Sequence, residues 1–225
     1  MPSTSNFSAM PTSDMHTTSL APSRRHSLAR TALVGALALA TLASMQGCIA
    51  LLGVGAVAGG MSLNDRRTGG TQIEDQAIEL KSGGRLREAI GDRGHVNVTS
   101  YNRIVLLSGE VPSEADKVAA EKAVHDIEGV SNVVNELEVG PNSTISTRSS
   151  DTVITTRVKS ALIDAKDVQA SAVKVVTERG NVYLMGRVTE REATRASEVA
   201  RAQPSVLKVV RVFEILTEEQ LGNLR

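Results

Sequence analysis

The heptapeptide VLLSGEV at 105–111 returns as VYLMGRV at 182–188, which sets Gly109 and Gly186 in the same place in two phrases 77 residues apart. Aligning the glycines also pairs Val98 with Val175, Val105 with Val182, Leu107 with Leu184 and Val111 with Val188. With one residue dropped, VSNVVNELEV (130–139) falls on VLKVVRVFEI (206–215). A period this long exceeds the unit of most solenoid repeats, so the chain is expected to carry two homologous domains.

Hydrophobic periodicity gives both copies one order of elements. In the first, 73–90 reads as a helix, 96–99 and 104–111 as strands, 113–127 as a helix and 130–139 as a strand. The second repeats this at 151–165, 172–177, 181–188, 189–202 and 206–216. The class is therefore α+β, each domain running helix, strand, strand, helix, strand. Asn102-Arg103 and Arg179-Gly180-Asn181 stand between alternating apolar runs, where a hairpin needs residues tolerant of positive φ. Ser113 before Asp116 and Thr189 before Glu192 place a cap oxygen and a carboxylate at each second helix. Gly109 and Gly186 are read as structural glycines, required where the second strand leaves the sheet and the next helix crosses closely. Gly83-Gly84 is a weak point in the first helix, which either kinks there or is held by Ile78, Leu86 and Ile90 alone.

Residues 1–47 read as a leader and signal rather than a domain. SRRHSLAR (23–30) is basic, TALVGALALATLASM (31–45) is uncharged, and QGC follows, the pattern of a bacterial export signal. SMQGC resembles the lipobox of bacterial lipoproteins, which would make Cys48 the lipidated first residue of the mature chain. Ile49, in place of Asp, implies by the same resemblance delivery to the outer membrane. A membrane-spanning helix within the uncharged stretch 31–64 is the other reading, and Gln46 and the Gly-rich LLGVGAVAGG favour cleavage over it. The expected organisation is signal 1–47, lipidated linker 48–71, first domain 72–140, linker 141–149, second domain 150–217 and tail 218–225.

The paired units resemble BON domains, and the chain from the lipobox onward is similar to outer-membrane lipoproteins built from two of them. The phrases that carry this are GTQIEDQAIEL (70–80), VNVTSYNRIVLLSGEVPS (96–113), ITTRVKSALI (154–163) and VKVVTERGNVYLMGRVTEREA (173–193). The resemblance implies a three-stranded sheet with two helices on one face in each domain. It also implies a periplasm-facing protein that binds anionic phospholipid and supports outer-membrane integrity.

Composition narrows the chemistry. With no Trp, two Tyr and two Phe, any core is aliphatic and any pocket is poor in stacking groups. Export and the missing aromatics argue against nucleic acid as a partner. The only histidines after the signal, His95 and His125, match no Ser-His-Asp order and no HExxH, and no phosphate-cradling glycine loop is present. The chain is accordingly read as a non-enzyme without cofactor or metal.

Charge is uneven. Residues 74–139 hold thirteen acids and seven bases, whereas 150–217 hold eleven bases and eight acids. A positive second domain is the one expected to meet an anionic membrane. On its first helix Ile154, Val158 and Leu162 share the face toward the sheet, leaving Thr156, Lys159, Ile163 and Lys166 outward and Val153 and Arg157 on the flank. Those six residues are the expected phospholipid contact. The family's lipid-binding helices tend to carry an aromatic where this chain has Val153, which leaves electrostatics and the anchor as the larger contributions. The rival expectation is an adaptor for an outer-membrane protein partner: the sheet face that bears Tyr183 and Met185 is expected either to pack against the first domain, making the pair rigid, or to receive that partner.

Overall fold

The computed structural model describes residues 65–224. Its first half opens with α1 (Gly69–Ile90), capped by the Thr68 hydroxyl, which accepts from the Thr71 amide at 3.1 Å. The helix runs unbroken through Gly83-Gly84 because its buried stripe, Asp75, Ile78, Ser82, Leu86 and Ile90, passes them by. A Cβ on either glycine would meet nothing within 4 Å, so both lie on the outside, where their weak propensity is the only cost. Then come β1 (His95–Tyr101), β2 (Ile104–Val111), α2 (Glu114–His125) and β3 (Asn132–Val139). β1 and β2 form an antiparallel hairpin, and α2 carries the chain across to lay β3 parallel to β2.

The second half repeats this as α3 (Ile145–Asp164), a 3₁₀ turn (Ala170–Ala172), β4 (Val173–Glu178), β5 (Asn181–Thr189), α4 (Glu190–Arg201) and β6 (Lys208–Leu216). The pairing is again antiparallel then parallel. The helix α3 starts at Ile145, before the expected 151, so 145–149 belong to it rather than to a linker. The cause is local: the Thr144 hydroxyl caps the helix by accepting from the Thr147 amide, and within it Ser150, Thr152 and Thr156 each turn their hydroxyl onto the carbonyl four residues back. The tail also acquires structure, as a Thr217–Gln220 capping box starts α5 (Glu218–Gly222) and buries Leu221.

Both hairpins turn on two residues of positive φ, Asn102 (51°) and Arg103 (66°) in one, Arg179 (50°) and Gly180 (76°) in the other. Each turn is held from the first helix of its domain. The Asp75 carboxylate accepts from the Asn102 and Arg103 amides at 2.8 Å each, and Asp151 accepts from Arg179 and Gly180 at 2.9 and 2.8 Å.

Alternation along the central strands makes two kinds of core. Val105, Leu107 and Val111 of β2 face the helices with Ile78, Val124 and Leu137. Val182, Leu184 and Val188 of β5 do the same with Ile154, Val158 and Leu162. The intervening side chains point the other way, and there Leu106 and Tyr101 of one sheet pack with Tyr183, Met185 and Val212 of the other. The two sheets therefore bury their open faces against each other, giving helix, sheet, sheet, helix layers.

Candidate functional site

The outward side of α3 carries five of the six residues expected to meet phospholipid, and the sixth, Lys166, stands in the turn after its C-cap Ala165. Val153 is 47% exposed and Ile163 71%, and Thr156, Arg157, Lys159 and Lys166 are all exposed. Arg157, Lys159 and Lys166 have no ion-pair partner among the described residues, although Asp164 shares the last turn with Ile163. Thr156 turns its hydroxyl back onto the Thr152 carbonyl at 2.9 Å, as a Thr on an exposed helix does.

Elsewhere in the second half several bases are engaged with acids of the first. Lys174 lies 3.1 Å from Glu79, Arg179 2.9 Å from the fully buried Glu110 and 3.5 Å from Glu138, and Lys208 3.3 Å from Glu136. Three of the eleven bases in 150–217 thus face acids of the first half, and those remaining equal the eight acids in number. Much of the charge difference read from the sequence is complementarity across this seam. Of the bases in 150–217 that have no ion-pair partner among the described residues, Arg157 and Lys159 lie on α3 and Lys166 just past it, while Arg191 and Arg201 lie on α4.

The seam has an approximate two-fold character. Asn102, in the first turn, donates to Glu214 of β6, while Arg179 and Asn181, at the second turn, reach Glu138 of β3. Tyr183 and Met185 are 2% and 0% exposed, so the sheet face on which a partner was expected is covered by the first half. Burial pushes the Tyr183 hydroxyl up from its ordinary range, with the carboxylates of Glu136, Glu138 and Glu178 acting the same way.

A strap formed by residues 65–67 joins the segment before α1 to the second domain. Arg66, 8% exposed, makes a bidentate pair with Glu192 at 2.8 Å on both oxygens and donates to the Arg187 carbonyl and Gln169. Burial alone would raise the Glu192 carboxyl, but the Arg66 guanidinium, the Thr189 amide and Arg191 together hold it below the usual range. Arg67 spans Asp65 and Asp75 and stacks 4.1 Å over the Tyr101 ring, whose hydroxyl is pushed up to about 12, chiefly by burial.

Where β1 and α3 approach, a cleft of about 470 Å³ opens, lined by His95, Asn97, Thr156, Lys159 and Glu178 among others. Glu178 accepts from Asn97 across the seam at 2.7 Å. Its carboxyl is raised by burial, against the Asn97 hydrogen bond, with help from Glu110 and Asp151. His95 lies half-buried with Nε2 3.3 Å from the Asn97 amide nitrogen, and burial and then Arg148 depress its pKa. His125 stands exposed, 3.6 Å from Asp126. Among the described residues no cluster of metal-ligating side chains and no helix long and apolar enough to cross a membrane is found.

Residues 74–141 and 150–217 match the BON domain. The chain belongs to the BON-domain family. It is 41% identical over 175 residues to outer membrane lipoprotein DolP of Haemophilus influenzae, covering 76% of this chain and 90% of that protein. A 21 kDa hemolysin of Actinobacillus pleuropneumoniae is 35% identical, covering 66% and 78%. Osmotically-inducible protein Y of Escherichia coli is 30% identical, covering 62% and 72%.

Several groups that organise the two BON domains were not singled out from sequence. The paired turn clasps, Asp75 to Asn102 and Asp151 to Arg179, recur at separations of 27 and 28 residues, a regularity the repeat itself carries. The strap has no such signal, because Arg66 meets a carboxylate 126 residues away. For Gly109 and Gly186 the close neighbour is not the crossing helix. A Cβ would sit 2.0 Å from the His95 carbonyl oxygen at Gly109 and 2.2 Å from that of Ala172 at Gly186, so backbone at the start of the adjacent edge strand fills the space. Both glycines pair within the sheet, with Val96 and Leu137 in one domain and Val173 and Phe213 in the other. Cys48 and the signal before it lie outside the described residues.

Proposed function

We propose that the protein is a lipoprotein anchored through Cys48 at the periplasmic side of the outer membrane, where α3 of the second BON domain contacts anionic phospholipid and supports envelope integrity. The observation that carries this is α3 and the turn after it: Val153 and Ile163 are exposed beside Arg157, Lys159 and, in the turn, Lys166, three bases without ion-pair partners among the described residues, while Lys174, Arg179 and Lys208 are engaged in the seam. Aliphatic stems and Ile163 enter the headgroup boundary while the charged ends meet phosphate. Each such base near an acidic surface contributes about 1 kcal/mol. That is weak alone and effective once an anchor holds the domain at high local concentration. The relative named as an outer membrane lipoprotein supports the anchored part of this reading.

The adaptor reading relied on Tyr183 and Met185, and burial of both removes its surface. The test reverses Lys159 and Lys166 to Glu in the compact unit Met61–Arg225. Co-sedimentation with anionic vesicles at low salt should be lost while circular dichroism is unchanged. Undiminished binding would reject the α3 contact. In the full chain, Cys48→Ala should abolish labelling by a fatty acid.

A further inference from the structure

The cleft beside α3 contains a carboxylate that the membrane contact leaves unused. Glu178 is 6% exposed, lines the cleft, receives a hydrogen bond only from Asn97 among the described residues and has no ion-pair partner there. Its acidic neighbours are already engaged, Asp151 by the turn amides and Glu110 by the Ser143 amide and Arg179. A desolvated carboxylate with one amide donor is unfavourable unless a cation contacts it, and Arg148, in the same lining, acts on Glu178 through space without forming an ion pair. At the edge of the same cleft stands Lys159, exposed and without an ion-pair partner among the described residues.

Buried negative charge below a free ammonium is complementary to a ligand of the opposite polarity, cationic at its inner end and anionic at its outer end. We propose that this cleft takes an aminoalkyl phosphate such as the headgroup of phosphatidylethanolamine, its primary ammonium on Glu178 and its phosphate against Lys159. A volume of about 470 Å³ is within the usual range for a small-ligand site. Burial and then Arg148 depress the pKa of His95, and Arg148, held on the Ser143 hydroxyl and carbonyl, is the cation of the lining that an entering ammonium has to avoid. Three N–H donors suit Glu178 and the threonine hydroxyls nearby, which a quaternary ammonium cannot address. The lipid source rests on the reading that α3 faces the membrane, because Thr156 and Lys159 belong both to its outward side and to the cleft.

The experiment compares Met61–Arg225 and its Glu178→Gln variant on three vesicle compositions: phosphatidylcholine alone, with phosphatidylethanolamine, and with anionic phosphatidylglycerol. Amide resonances are followed in parallel during titration with soluble phosphoethanolamine. The expected result is a gain of at least tenfold on adding phosphatidylethanolamine, lost in Glu178→Gln, with shifts at His95, Thr156 and Thr177. Binding to the phosphatidylglycerol vesicles should be equal in the two proteins, so failure of this site and failure of the anionic contact read out separately. Shifts with soluble phosphoethanolamine but no vesicle gain would support the same cleft chemistry with a soluble ligand and reject the lipid source. No gain and no shift, or a gain that Glu178→Gln retains, would overturn the proposal. A melting temperature of the unliganded variant no lower than the parent's, with matching amide spectra, excludes misfolding as the cause.

Discussion

At Gly186 the limit is set by one oxygen atom. Any Cβ there lies 2.2 Å from the carbonyl oxygen of Ala172, backbone that ends the 3₁₀ turn and leads directly into Val173, the β4 residue paired with Gly186. Gly186→Val should therefore destabilise the second domain by about 3 kcal/mol or more, read as a clear fall in melting temperature. Gly109→Ala should do likewise in the first, where a φ of 115° adds strain to a 2.0 Å clash. Glu178 makes a prediction of opposite sign. Its carboxyl is raised in the folded state by burial and by Glu110 and Asp151, against Asn97 and Arg148, so ionisation opposes folding. That cost is fully present above the folded pKa and vanishes as pH falls below the unfolded value near 4.5. Glu178→Gln should accordingly be more stable than the parent at neutral pH and equal to it near pH 4, measured by urea midpoints across the range.

Elements show why some of this architecture is legible in sequence and some is not. The order of helices and strands, the caps at Ser113 and Thr189 and the two-residue turns are local, each decided by residues a few positions apart. The start of α3 escapes because ISTRSS looks like linker, and the Thr144 cap that starts the helix lies in the same polar run. The outward side of α3 follows from periodicity, whereas the occupant of the Tyr183 and Met185 face does not, since an apolar face states that it is covered without naming what covers it. Charge misleads for the same reason: Lys174 meets Glu79 at a separation of 95 residues, so a count by domain reads an internal pair as an external field. The helix-to-turn clasp is testable at this scale. Removing the Asp151 carboxylate strands the Arg179 and Gly180 amides, so Asp151→Ala should cost about 2–3 kcal/mol in urea unfolding. Asp151→Asn, which keeps an acceptor, should cost less.

At the scale of the whole molecule the two BON domains act as one body, held by an apolar seam, by acid–base contacts around it and by a strap from residues 65–67. The strap fixes the start of the described chain to the second domain before the first domain begins, through Arg66 on Glu192. Because the Glu192 carboxyl is held low by that pairing, the strap is at full strength above about pH 4.5, the unfolded value, and is lost as pH falls through the lower folded one. Arg66→Ala, leaving Glu192 buried and short of its partner, should cost about 3–5 kcal/mol at neutral pH. The seam itself is probed by Met185→Asp. Met185 is 0% exposed and packs with Leu106 and Tyr101 rather than with the helices of its own domain. A carboxylate there has no cation to meet and disfavours contact of the sheets without touching Val182 or Leu184, which face the second domain's own core. Calorimetry of Met61–Arg225 should show one transition in the parent and two in Met185→Asp, with far-ultraviolet circular dichroism preserved. A single transition lowered as a whole would instead place Met185 in the stability of its own domain and reject the seam as the element that couples the pair.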